Sequence, residues 1–309
     1  MFECAVATFD FGGTNTRAAT VSIKNSSWCI LERLYRPTPN YILAPETPAM
    51  RRLEDLLDFL TDYASSAHAR FGAQALVIAI PGPVQGAGTV LAMPTILGPD
   101  GQSLCPFNLA ERIGTRLPDM QVNVMNDVSA AGYRFVSEGN DFALFTLGSG
   151  IGLKVFLDGQ PRVGPHSLGG ELTHMVFDAN PNAPLCDCGG RGHLGALASG
   201  RAWQRVATKA LEAGIEPDLD RFTEPLARAV AMLHFSLGLE RFIFAGGLTE
   251  KLGEVLRTSI VKNLPAQGWD VGQDWNAMVQ LAPADDAHAL IGGALAYGWS
   301  VLRSKGRTC

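Results

Sequence analysis

A glycine-rich turn between two β-like runs occurs twice in this chain, about half a chain apart, and this repetition limits the fold more than any other feature. The first runs from Ala5 to Val21 with Asp10-Phe11-Gly12-Gly13-Thr14 at its bend; the second runs from Phe142 to Phe156 with Gly148-Ser149-Gly150-Ile151-Gly152. Glycines let successive backbone N–H groups turn inward on a phosphate with no Cβ in the way. Two such turns can grip one polyphosphate from two sides, so the chain reads as two α/β halves around a nucleotide. No G-x-x-x-x-G-K-[ST] run is present, which excludes a Walker-type P-loop.

The residues near the turns carry the expected chemistry. Asp10 stands where a carboxylate can hold hydrated Mg²⁺ against phosphate oxygens, and Thr14 and Thr16 offer hydroxyls. Between the two turns, Asn126-Asp127 ends the apolar run from Gln121, so a rigid element presents the Asp127 carboxylate with an amide beside it. Phosphoryl transfer to an alcohol needs a group that orients the hydroxyl and accepts its proton, and Asp127 suits that role.

The element order is strands, helix, strand, in two rounds. Residues 51–63 have the 3.6-residue period of an amphipathic helix, and 75–80 form a buried strand that stops at Pro81-Gly82-Pro83. A helix is expected over 108–117 and a strand over 121–125. After the second hairpin comes an irregular stretch, 159–194, of a length that is usually functional or held by something other than a core. Helices are expected over 202–213 and 223–238, the latter with Pro225 in its first turn. Strand 242–244 then runs into Gly246-Gly247 and a helix to 263, an arrangement suited to close backbone approach by a flat ligand. A last strand, 279–281, precedes a terminal helix.

Within the irregular stretch lie Glu171, His174, Cys186, Cys188 and His193. His174, Cys186, Cys188 and His193 are the ligand types of a structural zinc site. Cys-x-Cys is tighter than the usual zinc spacing, so the residues alone leave a metal site and an unmetallated turn as alternatives.

Composition bounds the setting. With 309 residues, 47% of them hydrophobic, the chain can build two cores. A formal charge of −5 without a basic run gives no electrostatic reason to expect nucleic acid or an anionic membrane as partner. Six unevenly spaced cysteines do not suggest a disulfide frame. The first strand begins almost at Met1 with no export signal, and the apolar stretch 287–302 is too short to span a bilayer, so a cytoplasmic protein is expected.

These residues resemble the ROK family of sugar kinases and repressors over nearly the whole chain. Asp10-Phe-Gly-Gly-Thr14 looks like its first phosphate motif, Ile80-Pro-Gly-Pro-Val84 its substrate-side turn and Asn126-Asp127 its catalytic pair. Thr146 to Gly152 resembles the second phosphate motif, Gly170-Glu171-x-x-His174 the sugar-binding Glu and His, Ala245-Gly246-Gly247 the adenosine motif, and Ala289 to Ala294 the terminal helix. The resemblance implies a duplicated actin-like (ribonuclease H-like) ATPase fold, with one α/β domain of residues 1–125 plus 288–304 and a larger one of 126–287 that close over the ligands. It further implies an ATP- and Mg²⁺-dependent kinase, usually a homodimer, with Asp127 as general base for a hydroxyl, commonly O6 of a hexose. Gly82, Asn126, Glu171 and His174 would bind the acceptor. Asp10, Gly12, Gly13, Thr14, Gly148, Ser149, Gly150, Gly246 and Gly247 would bind ATP, and His174 would also ligate zinc. The first motif begins within ten residues of Met1, leaving no room for the repressors' helix-turn-helix.

Two departures bear on the acceptor. Where the family has Cys-x-Cys-Gly-x-x-Gly-Cys-x-Glu, this chain has His193 for the third cysteine and Gly195 for the glutamate, which in the family contacts hydroxyls near the anomeric carbon. The family's Pro-Asn is here Pro94-Thr95. Three readings follow: a kinase for glucose or an amino or acylamino hexose, a kinase for a cyclitol or modified hexose, and a sugar-responsive binding protein without catalysis.

Overall fold

The structure, a computed structural model, describes residues 3–304 except 13, 14, 25, 26, 39, 42 and 187. The described chain divides into two compact units, one of residues 1–138, 163–168 and 287–309, the other of 139–162 and 169–286.

In the first unit, strands β1 (Glu3–Phe11), β2 (Asn15–Lys24) and β3 (Ser27–Pro37) form an antiparallel meander. Helix α1 (Ala49–Phe71) then crosses to β4 (Ala73–Ile80), parallel to β1. A small sheet of β5 (Val84–Gln85), β6 (Thr89–Val90) and β7 (Phe107–Asn108) follows, with α2 (Pro94–Leu97) between its last two strands. Helix α3 (Leu109–Gly114) leads to β8 (Gln121–Asn126), parallel to β4, and α4 (Asp127–Gly132) starts at once. Sheet order is β3-β2-β1-β4-β8.

The apolar residues of β1 and β4 alternate between two cores, as strands covered on both faces require. Phe9, Phe11, Leu76 and Ile78 pack with Leu53, Leu56 and Leu60 of α1. Val6, Ala75 and Val77 pack on the opposite face with Leu290, Ile291 and Ala294 of the last helix, His288–Ser304. Helix α1 is longer than its sequence period suggests because the chain stays amphipathic to Ala67 and stops only at Gly72, which takes the left-handed conformation of a C-cap.

The second unit repeats the plan. Strands β9 (Phe142–Leu147) and β10 (Ile151–Leu157) form the second hairpin, and β11 (Gln160–Pro161) extends it. Helices α5 (Leu194–Ala198), α6 (Gly200–Glu212) and α7 (Leu219–Leu237) precede β12 (Phe242–Ala245), parallel to β9. Helices α8 (Gly247–Leu252), α9 (Glu254–Asn263) and α10 (Trp275–Met278) lead to β13 (Val279–Leu281), parallel to β12. The order β11-β10-β9-β12-β13 matches the first sheet: a hairpin, then strands added in parallel. Phe145 and Phe244 stack with ring centres 4.8 Å apart within a core shared with Leu226, Val230 and Ile260.

Three expectations change. Helix α7 begins at Leu219, where Asp218 accepts from the Arg221 N–H, so Pro225 lies inside the helix rather than in its first turn. The single helix expected up to residue 263 is two, because Gly253 breaks it with φ +53° and ψ −136°. The segment after the first hairpin adds the edge strand β3, whose side chains are mostly exposed and therefore lack the apolar alternation of a half-buried strand.

Candidate active site

In the first unit, strand register gathers the chemistry at one sheet edge. Asp10 lies opposite Ala79, Ala79 opposite Met125, and Ile80 opposite Asn126, so Asp10, the turn at Gly82 and Asp127 all lie at the carboxyl ends of adjacent parallel strands. Neighbouring strands are about 4.8 Å apart, which puts the backbones carrying Asp10 and Asn126 about 10 Å apart. Ligands of open α/β sheets bind outside such strand ends.

Asp127 is fixed there by its neighbour. The Asn126 side-chain oxygen accepts from the N–H groups of Val128 and Ser129, both at 3.1 Å, and so caps α4. Its Nδ2 donates to Asp127 Oδ1 at 2.9 Å and to the Gly82 carbonyl at 3.3 Å. The Val128 N–H also donates to Asp127 Oδ1, at 2.9 Å. An amide offers two donor hydrogens and two lone pairs, and Asn126 commits all four within the protein. In this arrangement it holds Asp127 against the turn at Gly82. Gly82 has φ +141°, and a Cβ there would come within 2.5 Å of the Ala92 carbonyl, so backbone strain and close approach both demand glycine.

At the first glycine-rich turn, Asp10 Oδ2 is 3.3 Å from a guanidinium nitrogen of Arg17, its cross-strand partner. Gly12 closes the turn by donating to the Asn15 carbonyl at 3.0 Å. The Thr16 hydroxyl, expected on the phosphate side, instead points inward to Thr38 Oγ1 at 3.0 Å, because residue 16 falls on the buried face of β2. Thr38 in turn donates to the Gly12 carbonyl at 2.7 Å. Gly13 and Thr14 lie outside the described residues.

In the second unit, the turn from β9 to β10 rests on the start of α6. The N–H groups of Gly200 and Arg201 donate to the carbonyls of Gly148 and Ser149, at 2.9 and 3.3 Å. Gly148 and Ser149 are exposed, and a Cβ added at Gly148 or Gly150 would meet nothing within 4 Å. The protein's own packing therefore does not require glycine at these two positions. Their backbone is open to close approach. At the neighbouring strand end, a Cβ added at Gly246 would come within 3.0 Å of the Leu147 backbone, and beside Gly246 lies a recess of about 120 Å³ whose lining includes Ala245, Thr249, Glu250 and Ala282.

Glu171 immediately precedes, and His174 ends, a single 3₁₀ turn, Leu172–His174. Sequence reasoning missed the side chain beneath them. Lys154 of β10 is 1% exposed, and its ammonium donates to the Gly169 carbonyl at 2.9 Å and to Glu171 Oε1 at 3.4 Å. The signal was one charge within the apolar run Leu153 to Leu157, since a buried charge needs a partner.

The metal-ligand expectation has a geometric counterpart. One atom each of His174, Cys186, Cys188 and His193 lies within 4.8 Å of the other three, with Cys186 Sγ 3.8 Å from His174 Nδ1 and Cys188 Sγ 3.2 Å from His193 Nδ1. Tetrahedral zinc bound at about 2.0–2.3 Å sets its ligand atoms roughly 3.3–3.8 Å apart, so this donor set fits it. Zinc here would tie three points of a loop that has little core of its own. Purified protein should carry about one zinc per chain by elemental analysis, and Cys186→Ser should abolish it while lowering the unfolding midpoint. Metal-free protein with an unchanged midpoint would show an ordinary turn.

Among the described residues, no helix is long and apolar enough to cross a membrane. The ROK family pattern matches residues 6–297. A C(7)-cyclitol 7-kinase of Streptomyces hygroscopicus subsp. jinggangensis is 31% identical over 94% of this chain and 92% of its own length. An N-acetylmannosamine kinase of Escherichia coli O157:H7 is 32% identical over 62% of this chain and 60% of its own. Among solved structures, a ROK family glucokinase from Streptomyces griseus, in complex with glucose and AMPPNP, superposes with a TM-score of 0.71 at 23% identity, covering 94% of this chain and 98% of the other.

Proposed function

The chain belongs to the ROK family and has the actin-like ATPase fold, and from that premise we propose that it transfers the γ-phosphoryl group of ATP to a hydroxyl of a sugar-like ring, with a cyclitol as preferred acceptor. The observation that carries the reading is Asp127, locked by Asn126 at a strand end in register with Asp10.

In the reaction, the acceptor oxygen bonds to the γ-phosphorus while its proton passes to the Asp127 carboxylate. The bond from that phosphorus to the bridging oxygen breaks, and ADP leaves with the electron pair. Asp10 would hold the Mg²⁺ that comes with ATP, and the ion would neutralise phosphate charge. The open backbone of Gly148 to Gly150 suits phosphate oxygens, and the recess beside Gly246 suits the nucleoside. Glu171 accepts from ring hydroxyls. His174 would hold zinc through Nδ1 and keep Nε2 for the acceptor.

Two observations favour a cyclitol over a hexose. The cyclitol kinases match nearly the whole chain, whereas the N-acetylmannosamine kinases match about two thirds of it. In addition, Gly195 borders the turn that carries Glu171, a Cβ there lying 3.3 Å from the Thr173 carbonyl, and it brings no carboxylate where the family reads hydroxyls near the anomeric carbon. A ring with carbon in place of the ring oxygen has no anomeric hydroxyl to read. The hexose reading is the second, supported by the glucokinase likeness. Rates of ADP release across C7-cyclitols, glucose, mannose and acylamino hexoses separate them. Specificity of about 10²-fold or more for a cyclitol is expected, since a mismatched polar site discriminates steeply. Faster turnover of glucose would return the protein to the hexose kinases.

A further inference from the structure

The proposed mechanism leaves the buried charge of Lys154 unused. Lys154 has a side chain only 2% exposed, while that of its partner Glu171 is 24% exposed. Burying an ammonium is costly, and apolar residues in its place are often as stable, so fold stability is a weak reason for a lysine here. Its position offers another reason. Leu153 and Val155 join the core beneath the helices, so Lys154, between them on the strand, points to the opposite face of the sheet. There its ammonium reaches the Gly169 carbonyl and Glu171 Oε1, while the Thr173 hydroxyl donates to Glu171 Oε2 at 3.4 Å. Each carboxylate oxygen thus has one protein donor and keeps lone pairs for another.

We infer that Lys154 is a positioning residue for the acceptor: its buried ammonium holds Glu171 as an oriented carboxylate whose two oxygens accept from neighbouring hydroxyls of an uncharged ring polyol. This rests on the reading of Glu171 as an acceptor ligand. Bonds from hydroxyls to a carboxylate are charge-assisted and directional, so a carboxylate free to rotate loses affinity for the diol without losing the proton acceptor elsewhere. An acceptor carrying its own carboxylate would face repulsion from Glu171, and one lacking either neighbouring hydroxyl would leave one oxygen with its protein donor alone.

Four proteins test this with a cyclitol as probe: wild type, Lys154→Gln, Glu171→Gln and the double variant. Lys154→Gln keeps an amide donor for the Gly169 carbonyl but carries no charge. It should raise the acceptor KM by about 30-fold while kcat and the ATP KM stay within about 3-fold, the split expected when binding is lost equally from the ground state and the transition state. In the Glu171→Gln background, removal of Lys154 should add almost nothing, because the two act as one unit. If Glu171→Gln raises the acceptor KM but Lys154→Gln does not, or if their effects multiply independently, the Lys154 proposal falls alone. If Glu171→Gln leaves the acceptor KM unchanged, the reading of Glu171 falls and the proposal with it. Should Lys154→Gln fail to fold, the double variant decides: a folded double variant with the acceptor KM of Glu171→Gln supports the coupling, and one with a far higher KM overturns it.

Discussion

Asp127→Asn is expected to lower kcat by about 10²–10⁴-fold, the range for loss of a general base, with the acceptor and ATP KM values little changed. The substitution removes the proton acceptor and leaves the scaffold almost untouched. Asn retains an oxygen in place of Oδ1, which accepts from Asn126 Nδ2 and the Val128 N–H, and Asn126 still caps α4 through its own oxygen. The unfolding free energy should therefore move by no more than about 1 kcal/mol. Denaturant titration and steady-state kinetics on the same preparation separate the two effects. A variant that keeps kcat within tenfold would remove Asp127 from the chemistry.

The second large effect comes from a residue that touches no ligand. Gly292 of the last helix lies against α4, and a Cβ there would stand 2.0 Å from the Ala130 carbonyl and 2.9 Å from the Arg134 nitrogen. Both are backbone atoms, which cannot turn aside as a side chain can. Gly292→Ala must push α4 and the last helix apart, at a cost of about 3 kcal/mol, the upper end for overpacking. Because α4 begins at Asp127, kcat should fall as well, by about tenfold for a displacement of roughly 1 Å or less. The neighbouring position is the control. At Gly293 the nearest atom is Val77 Cγ1 at 3.1 Å, a methyl that can shift, so Gly293→Ala should cost about 1 kcal/mol or less. Equal costs at the two positions would mean that α4 is not clamped by this contact.

How much could be read from the sequence depends on range. The two hairpins were legible because glycine-rich bends between apolar runs are local signals, and both form where expected, as Gly12 and Gly148 show. Asp127 was legible for the same reason, at the end of a strand that Asn126 turns directly into a helix. The use made of Asn126 was not, since the Gly82 carbonyl is 44 residues away along the chain and arrives only through the pairing of β4 with β8. Lys154 and Glu171 are 17 residues apart and meet only because Gly169 lies over β10. The break at Gly253 escaped notice because a lone glycine in a helical pattern is often tolerated. Strand β3 was lost because Leu31, Leu34 and Tyr35 remain exposed on an edge, where no burial imposes a pattern.

Transfer of the ATP γ-phosphoryl group to a ring hydroxyl, with Asp127 as proton acceptor, is the proposed activity. Phosphorus NMR of the wild-type protein incubated with ATP, Mg²⁺ and a C7-cyclitol tests it most directly. One new phosphomonoester resonance on the cyclitol should form in step with ADP and be absent with Asp127→Asn. Inorganic phosphate in place of the ester would identify an ATPase, and cyclitol binding with ATP left intact would identify a binding protein; either result would contradict it.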